Sequence, residues 1–403
     1  MKTDVIRTGV GSMRYMAPPA LRGGLQPYEA CIKSLVDADR AGYHWVVCHD
    51  ATDWPTPSSV WNAKLSDFCR DAPDPNGVFA MDVAIAGAAA QTDQVRFLWG
   101  PLDLVRRAPV NIAQSVLTLD HATRGRIAVV LSQGQQNHMR QYGMSRAGTK
   151  DKLWDGVQIV TRLVRQTAPF SYRGREWKFD NGALALPPHG ARPPEVFVAG
   201  GMPESLELAG RFADGWVDCP PGLDQNDPGV FAEKVAAIRR HAASVGRDPD
   251  ELTILALICC VMMEDENLID AAIDHPTVRW NTLCGTASQY FYKWGLTHPY
   301  GTDWTYFRDC IPEWISAEEF YDVCARTPRE AVGKAQFLGT SESVFRQLQP
   351  WLDCGITDVL VYNTAAMVSV AHQRSAAAAT AALLARLKGR PVSRTALGTR
   401  EDL

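Results

Sequence analysis

The sequence predicts an α/β chain folded as a (β/α)8 TIM barrel, and three stretches carry that expectation. VRFLWGP breaks off at Gly100-Pro101, RIAVVLSQG at Gly134, and EVFVAGG at Gly200-Gly201 ahead of PESLELAGRFADGW. Short apolar runs that stop at glycine and feed a helical pattern are βα units. The carboxyl ends of such strands are where barrels of this kind do chemistry. The pattern alone therefore favours an enzyme.

Taken in order, Val5 to Val10 reads as the first strand. Gln26 to Ala41 follows with apolar residues at helical spacing, stopped by Gly42 as a C-cap. Trp45 to Cys48 is the second strand and ends at His49-Asp50. Residues 51–80, rich in Pro, Asp and Asn, exceed a tight βα loop and predict a lid or excursion beside the site. Val95 to Trp99 is the third strand, Val110 to Leu119 its helix, and Ile127 to Ser132 the fourth strand.

Asp151 to Arg165 is amphipathic and helical. Phe170 to Leu186 alternates, with turn signals at Gly174 and Asn181-Gly182, and predicts a hairpin insertion within 170–190. Glu195 to Ala199 is the fifth strand and Pro203 to Phe212 its helix, with proline tolerated in the first turn. Gly215 to Cys219, a helix over Pro228 to Val245, and Leu252 to Met263 continue the alternation. Residues 275–330 break it with an aromatic-rich insertion that could roof the barrel mouth. Ser341 to Cys354 (helix), Thr357 to Tyr362 (last strand) and Ser375 to Leu387 (closing helix) complete eight strands. The expectation is one domain over 1–390, with insertions near 51–80, 170–190 and 275–330, and a flexible tail over 391–403.

Composition narrows the class. The chain has 403 residues, of which 46% are apolar and 21% charged, enough for a large core. Its net charge of −4 with scattered basic residues argues against nucleic acid. No charged n-region precedes an apolar h-region, and no run approaches a membrane span. The ten cysteines form no C-x-x-C pair and sit in apolar context. They therefore read as free thiols in a reducing compartment, and no metal site is expected. A cytoplasmic location follows.

With those segments in view, the chain resembles the bacterial luciferase-like family, in particular its coenzyme F420-dependent, phthiodiolone ketoreductase-like branch. The stretches that carry this are GYHWVVCHD, RRAPVNIAQSVLTLDHATRGRIAVVLSQGQ, QYGM, PPEVFVAGGMPESLELAGRFADGW, HPYGTDW with DCIPEWIS, and GTSESVFRQL with CGITDVLVYN. They span the chain from about Val5 to Arg386. The resemblance implies a homodimer with a flavin or deazaflavin at the strand ends, and it implies roles for individual residues.

His49 falls near the deazaflavin ring, with Cys48 in place of the family's acidic partner, or with Asp50 as a reversed one. A histidine there can donate a proton or steady developing charge. Trp99-Gly100 holds the position of a non-prolyl cis peptide that bulges against the ring, with Leu102 close by. Gln133, Gly134 and His138 match cofactor contacts. Gln135 stands where relatives often place a glutamate; an amide cannot release a proton, so either the donor is His49, Asp50, His138 or Tyr142, or the chain does not run that reaction. Gly200, Gly201, Met202 and Ser205 open a helix whose bare N–H groups suit a phosphate. Trp54 and His138 are candidate substrate contacts.

The reading that follows is an F420-dependent oxidoreductase. It would move a hydride between the deazaflavin and a carbonyl, alcohol or activated double bond of a small or lipid-like substrate. An FMN-dependent, O2-using monooxygenase and a catalytically silent F420- or flavin-binding protein are the alternatives.

Overall fold

The computed structural model describes residues 4–11 and 16–393. Eight parallel strands close into a barrel: β1 (Arg7–Gly11), β2 (Trp45–Cys48), β3 (Arg96–Asp103), β4 (Ile127–Ser132), β7 (Glu195–Ala199), β8 (Gly215–Asp218), β9 (Thr253–Met262) and β11 (Asp358–Asn363). Each pairs with the next, β9 pairs with β11, and β11 pairs with β1, so no edge remains. Full closure satisfies every strand's backbone groups laterally. Helices from Pro27–Arg40 to Val370–Leu387 pack around the outside. The predicted tail over 391–403 lies outside the described residues from position 394 onward.

Strand alternation decides which side chains reach the barrel interior. Trp45, Val47, Leu98, Ala128, Val130, Phe197, Val217, Leu255 and Leu360 form the inner core. Phe97 and Trp99 belong to the outer layer between strands and helices. The amino end of the barrel is plugged by Asp358, which accepts from Arg7 Nε and Nη2 (both 2.7 Å) and from Trp45 Nε1 (2.6 Å).

Three expectations change. A short strand β10 (Phe337–Gly339) pairs with the end of β9 and was not expected. Its three residues are too few to show a period. The hairpin of β5 (Phe170–Arg173) and β6 (Lys178–Gly182) turns at Gly174 only; Asn181-Gly182 ends its second strand. β3 runs on to Asp103 through a bulge between Trp99 and Leu102, and the cis peptide bond is Gly100-Pro101, not Trp99-Gly100. Gly100 is required there. Its φ is +134°, and a Cβ would lie 2.5 Å from the Val130 carbonyl oxygen.

Residues 51–80 and 275–330 meet over the carboxyl end. Trp280 Nε1 donates to Pro55 O (2.7 Å), Ser59 Oγ to Ile315 O (2.9 Å), and Gln136 N to Phe307 O (2.9 Å). Trp280 and Phe291 are fully buried as core, while Trp314 and Tyr292 face outward. Of that aromatic group, Tyr290, Tyr306 and Phe307 line the space beneath.

Candidate active site

Under this roof lies a cavity of about 550 Å³ at the carboxyl ends of the strands. Its floor is the apolar inner core: Val47, Leu98, Val130, Val217, Leu257 and Leu360 all reach it. Its rim is polar and comes from the loops after β2, β3, β4, β7 and β8. An apolar hollow with a few convergent polar groups is the usual form of a small-molecule site.

His49, directly after β2, faces the cavity. Burial holds its pKa down at about 4, so the ring is neutral at pH 7. Asp50, next in the chain, sits between two arginines. Arg106 Nη2 donates to its Oδ2 and Arg107 Nη1 to its Oδ1, both at 2.5 Å. A carboxylate bound to two guanidinium groups accepts charge-assisted hydrogen bonds from both. These contacts tie the loop after β2 to the segment after β3.

Trp54 lines the cavity beside Tyr362, with ring centroids 6.3 Å apart. Asp53, 2% exposed, is the hub of this flank. It accepts from Asn137 Nδ2 (2.5 Å) and Gln141 Nε2 (2.8 Å), and its Oδ1 lies 3.3 Å from His138 Nε2. His138 is thus a buried cavity histidine with a carboxylate partner, not a surface loop residue. Gln133, Gly134 and Gln135 follow β4 along the same rim.

Gly200, Gly201, Met202 and Ser205 line the far side. Met202 is the N-cap of helix Pro203–Arg211 in extended conformation, with no side-chain cap. Among the described residues, the Gly201 and Met202 amides have no protein acceptor. Lys234 closes on this turn, and a Cβ at Gly201 would lie 2.9 Å from its Nζ. The ammonium is held by Asp218 Oδ2 (2.7 Å) and Asp224 Oδ1 (2.5 Å). Burial and the neighbouring Asp218 push the Asp224 carboxyl up to about 8, against the pull of Lys234.

Two predicted cofactor contacts stand apart from this space. Trp99 is fully buried on the outer face of β3, with Arg107 5.2 Å over its ring. Leu102, beyond the bulge, packs in the same outer layer. Alternation fixes this, because Leu98 is the inward residue of β3. Gly100 and Pro101 supply the cavity wall there instead. Tyr142 is 55% exposed and outside the lining.

Sequence reasoning missed Arg106 and Arg107, the Asp53–Asn137 pair, Tyr306, and the Asp218–Lys234–Asp224 cluster. Asp218, an acid at the carboxyl end of a barrel strand, carried the only usable signal.

Bare amides at one end, a neutral imidazole at the other and an apolar floor fit a flat ring with a phosphate tail. Together they define the class as a barrel with a ligand-sized cavity at the carboxyl ends of its strands. The chain belongs to the luciferase-like monooxygenase family, matched over residues 7–358. Among curated relatives it is 28% identical over 262 residues to a phthiodiolone/phenolphthiodiolone dimycocerosates ketoreductase of Mycobacterium kansasii, covering 65% of this chain and 70% of that one. It is 30% identical over 172 residues to an F420-dependent hydroxymycolic acid dehydrogenase of Mycobacterium tuberculosis, covering 42% and 45%.

Its fold is shared with an F420-dependent secondary alcohol dehydrogenase solved with an F420-acetone adduct (TM-score 0.65, 15% identity, 93% and 96% coverage). It is shared equally with the EDTA monooxygenase of Chelativorans sp. BNC1 (TM-score 0.66, 15% identity, 98% and 96% coverage). The protein is therefore a luciferase-like oxidoreductase. No helix among the described residues is long and apolar enough to cross a membrane.

Proposed function

We propose that this enzyme uses coenzyme F420 to interconvert a carbonyl and an alcohol on a small or lipid-like substrate. The observation that carries the proposal is the pairing, in one cavity, of the unpartnered Gly201 and Met202 amides with the neutral His49. The resemblance to an F420-dependent hydroxymycolic acid dehydrogenase favours F420 over FMN, and that to a ketoreductase favours a carbonyl substrate.

When bound, the deazaflavin supplies or takes the hydride. The chain's own residues do the rest. Gly201 and Met202 hold the phosphate by main-chain amides at the helix start, with Ser205 lining the same turn. Leu98, Gly100 and Val130 form an apolar bed that excludes water. His49, uncharged, offers a ring nitrogen to the reacting centre. His138, backed by Asp53, is the group that holds and releases the proton that Gln135 cannot supply.

Titration of the pure protein with F420 and, separately, with FMN tests this. Saturable change in the F420 spectrum, with FMN at least about ten-fold weaker, is expected. Tighter FMN binding would replace the proposal with the monooxygenase reading.

A further inference from the structure

The cavity around Asp53 is lined by residues with buried polar groups that the fold leaves without partners. Asn137 is 1% exposed, and its Oδ1 has no hydrogen-bond partner among the described residues. Its orientation is fixed. Nδ2 lies 2.5 Å from Asp53 Oδ1, and a carboxylate only accepts, so the amide nitrogen must face Asp53 and the oxygen must face away. Tyr306, on the roof, is 4% exposed, and its hydroxyl also has no partner. Burial holds that phenol far above its ordinary range, with the Asp53 charge adding to the effect, so it stays a donor at any working pH. Both residues line the cavity, and so does Trp54, whose Nε1–H is likewise unpartnered.

Buried polar groups are nearly always satisfied, and exceptions call for a reason. An acceptor (Asn137 Oδ1) and a donor (the Tyr306 hydroxyl) that the fold leaves unmet thus belong to residues lining one cavity, and together they suit an oxygen atom that carries a hydrogen. We propose that these residues form the substrate-oxygen subsite: Tyr306 donates to the oxygen, and Asn137 Oδ1 accepts from it when it is a hydroxyl. A carbonyl satisfies the donor only, so the alcohol binds more tightly than its ketone. A hydrocarbon satisfies neither. The inference rests on the proposed function only in taking the substrate to be oxygenated.

Calorimetric titration of the full chain with 2-octanol, 2-octanone and octane, without added cofactor, tests it. The expected order of affinity is alcohol, ketone, alkane. Tyr306→Phe should weaken both oxygenated probes by about ten-fold and leave octane unchanged, as loss of one buried hydrogen bond does. It should also raise the melting temperature of the free protein, because an unsatisfied hydroxyl is removed. Octane binding as tightly as the alcohol, probe affinities unmoved by Tyr306→Phe, or a lowered melting temperature would each overturn the subsite. Failure of the F420 titration with this ranking intact would strike the cofactor assignment alone.

Discussion

Arg106 Nη2 meets Asp50 Oδ2 at 2.5 Å while its Nε reaches Asp103 Oδ2 at 2.5 Å. One guanidinium thus ties the loop after β2, which presents His49, to the end of β3. The two carboxylates are 6% and 1% exposed as side chains. Arg106→Ala strips a partner from both, and breaking such buried pairs costs roughly 3–5 kcal/mol. Arg107 still holds Asp50, which puts the expected loss near the lower figure. Denaturant unfolding measures it; a change under about 1 kcal/mol would mean that the pair behaves like an exposed one.

The histidines make the fold acid-sensitive. His44, His49 and His298 have pKa values pushed down to about 3, 4 and 4, each first by burial. An unfolded histidine takes its proton near 6.5, so between pH 6.5 and about 4 the unfolded chain binds more protons than the native one. Stability should fall as pH drops through that window, by up to about 1.4 kcal/mol per pH unit for each histidine. His49→Gln should make the dependence shallower. Equal slopes for wild type and variant, followed by thermal melts, would show that the His49 ring is accessible to protons.

Asp224 predicts the opposite trend. Its carboxyl is held up at about 8 by burial and Asp218, so the native state keeps a proton that the unfolded chain releases above about 4. Stability is lost as pH rises from about 4 to 8. Asp224→Asn should therefore gain melting temperature relative to wild type, and the gain should grow across that range. A gain independent of pH would mean that Asp224 is ionised beside Lys234 throughout.

Much of the barrel was legible because its strands are short apolar runs, several of them stopped by glycine, and helices such as Thr149–Arg165 keep a clear apolar stripe. β10 escaped because pairing alone makes it a strand. Trp99 was misplaced because a motif position carries no sign of which face a side chain takes. The parity of Leu98 supplies that sign, and only once closure fixes the inner face. The polar site was less legible for a different reason. Asp53 and Asn137 are 84 residues apart, Asp50 and Arg107 57 apart, and Trp280 and Pro55 225 apart. Such pairs come from the fold and leave no local spacing to read.

Gly201 tests phosphate binding at this turn. A methyl group at this position presses on the end of Lys234, which Asp218 and Asp224 hold, so Gly201→Ala should fold with a modest loss of stability. It should also crowd the bare amides and weaken F420 by about ten-fold or more, read by fluorescence titration. An unchanged dissociation constant would move the phosphate away from this turn.

The most direct measurement is a crystal structure of the full chain saturated with F420. The expected result is a deazaflavin ring over Leu98 and Gly100 with His49 at its edge, and its phosphate on the amides of Gly201 and Met202. A ring bound outside the β2–β4 rim, or a phosphate held elsewhere with those amides facing water, would contradict the assignment.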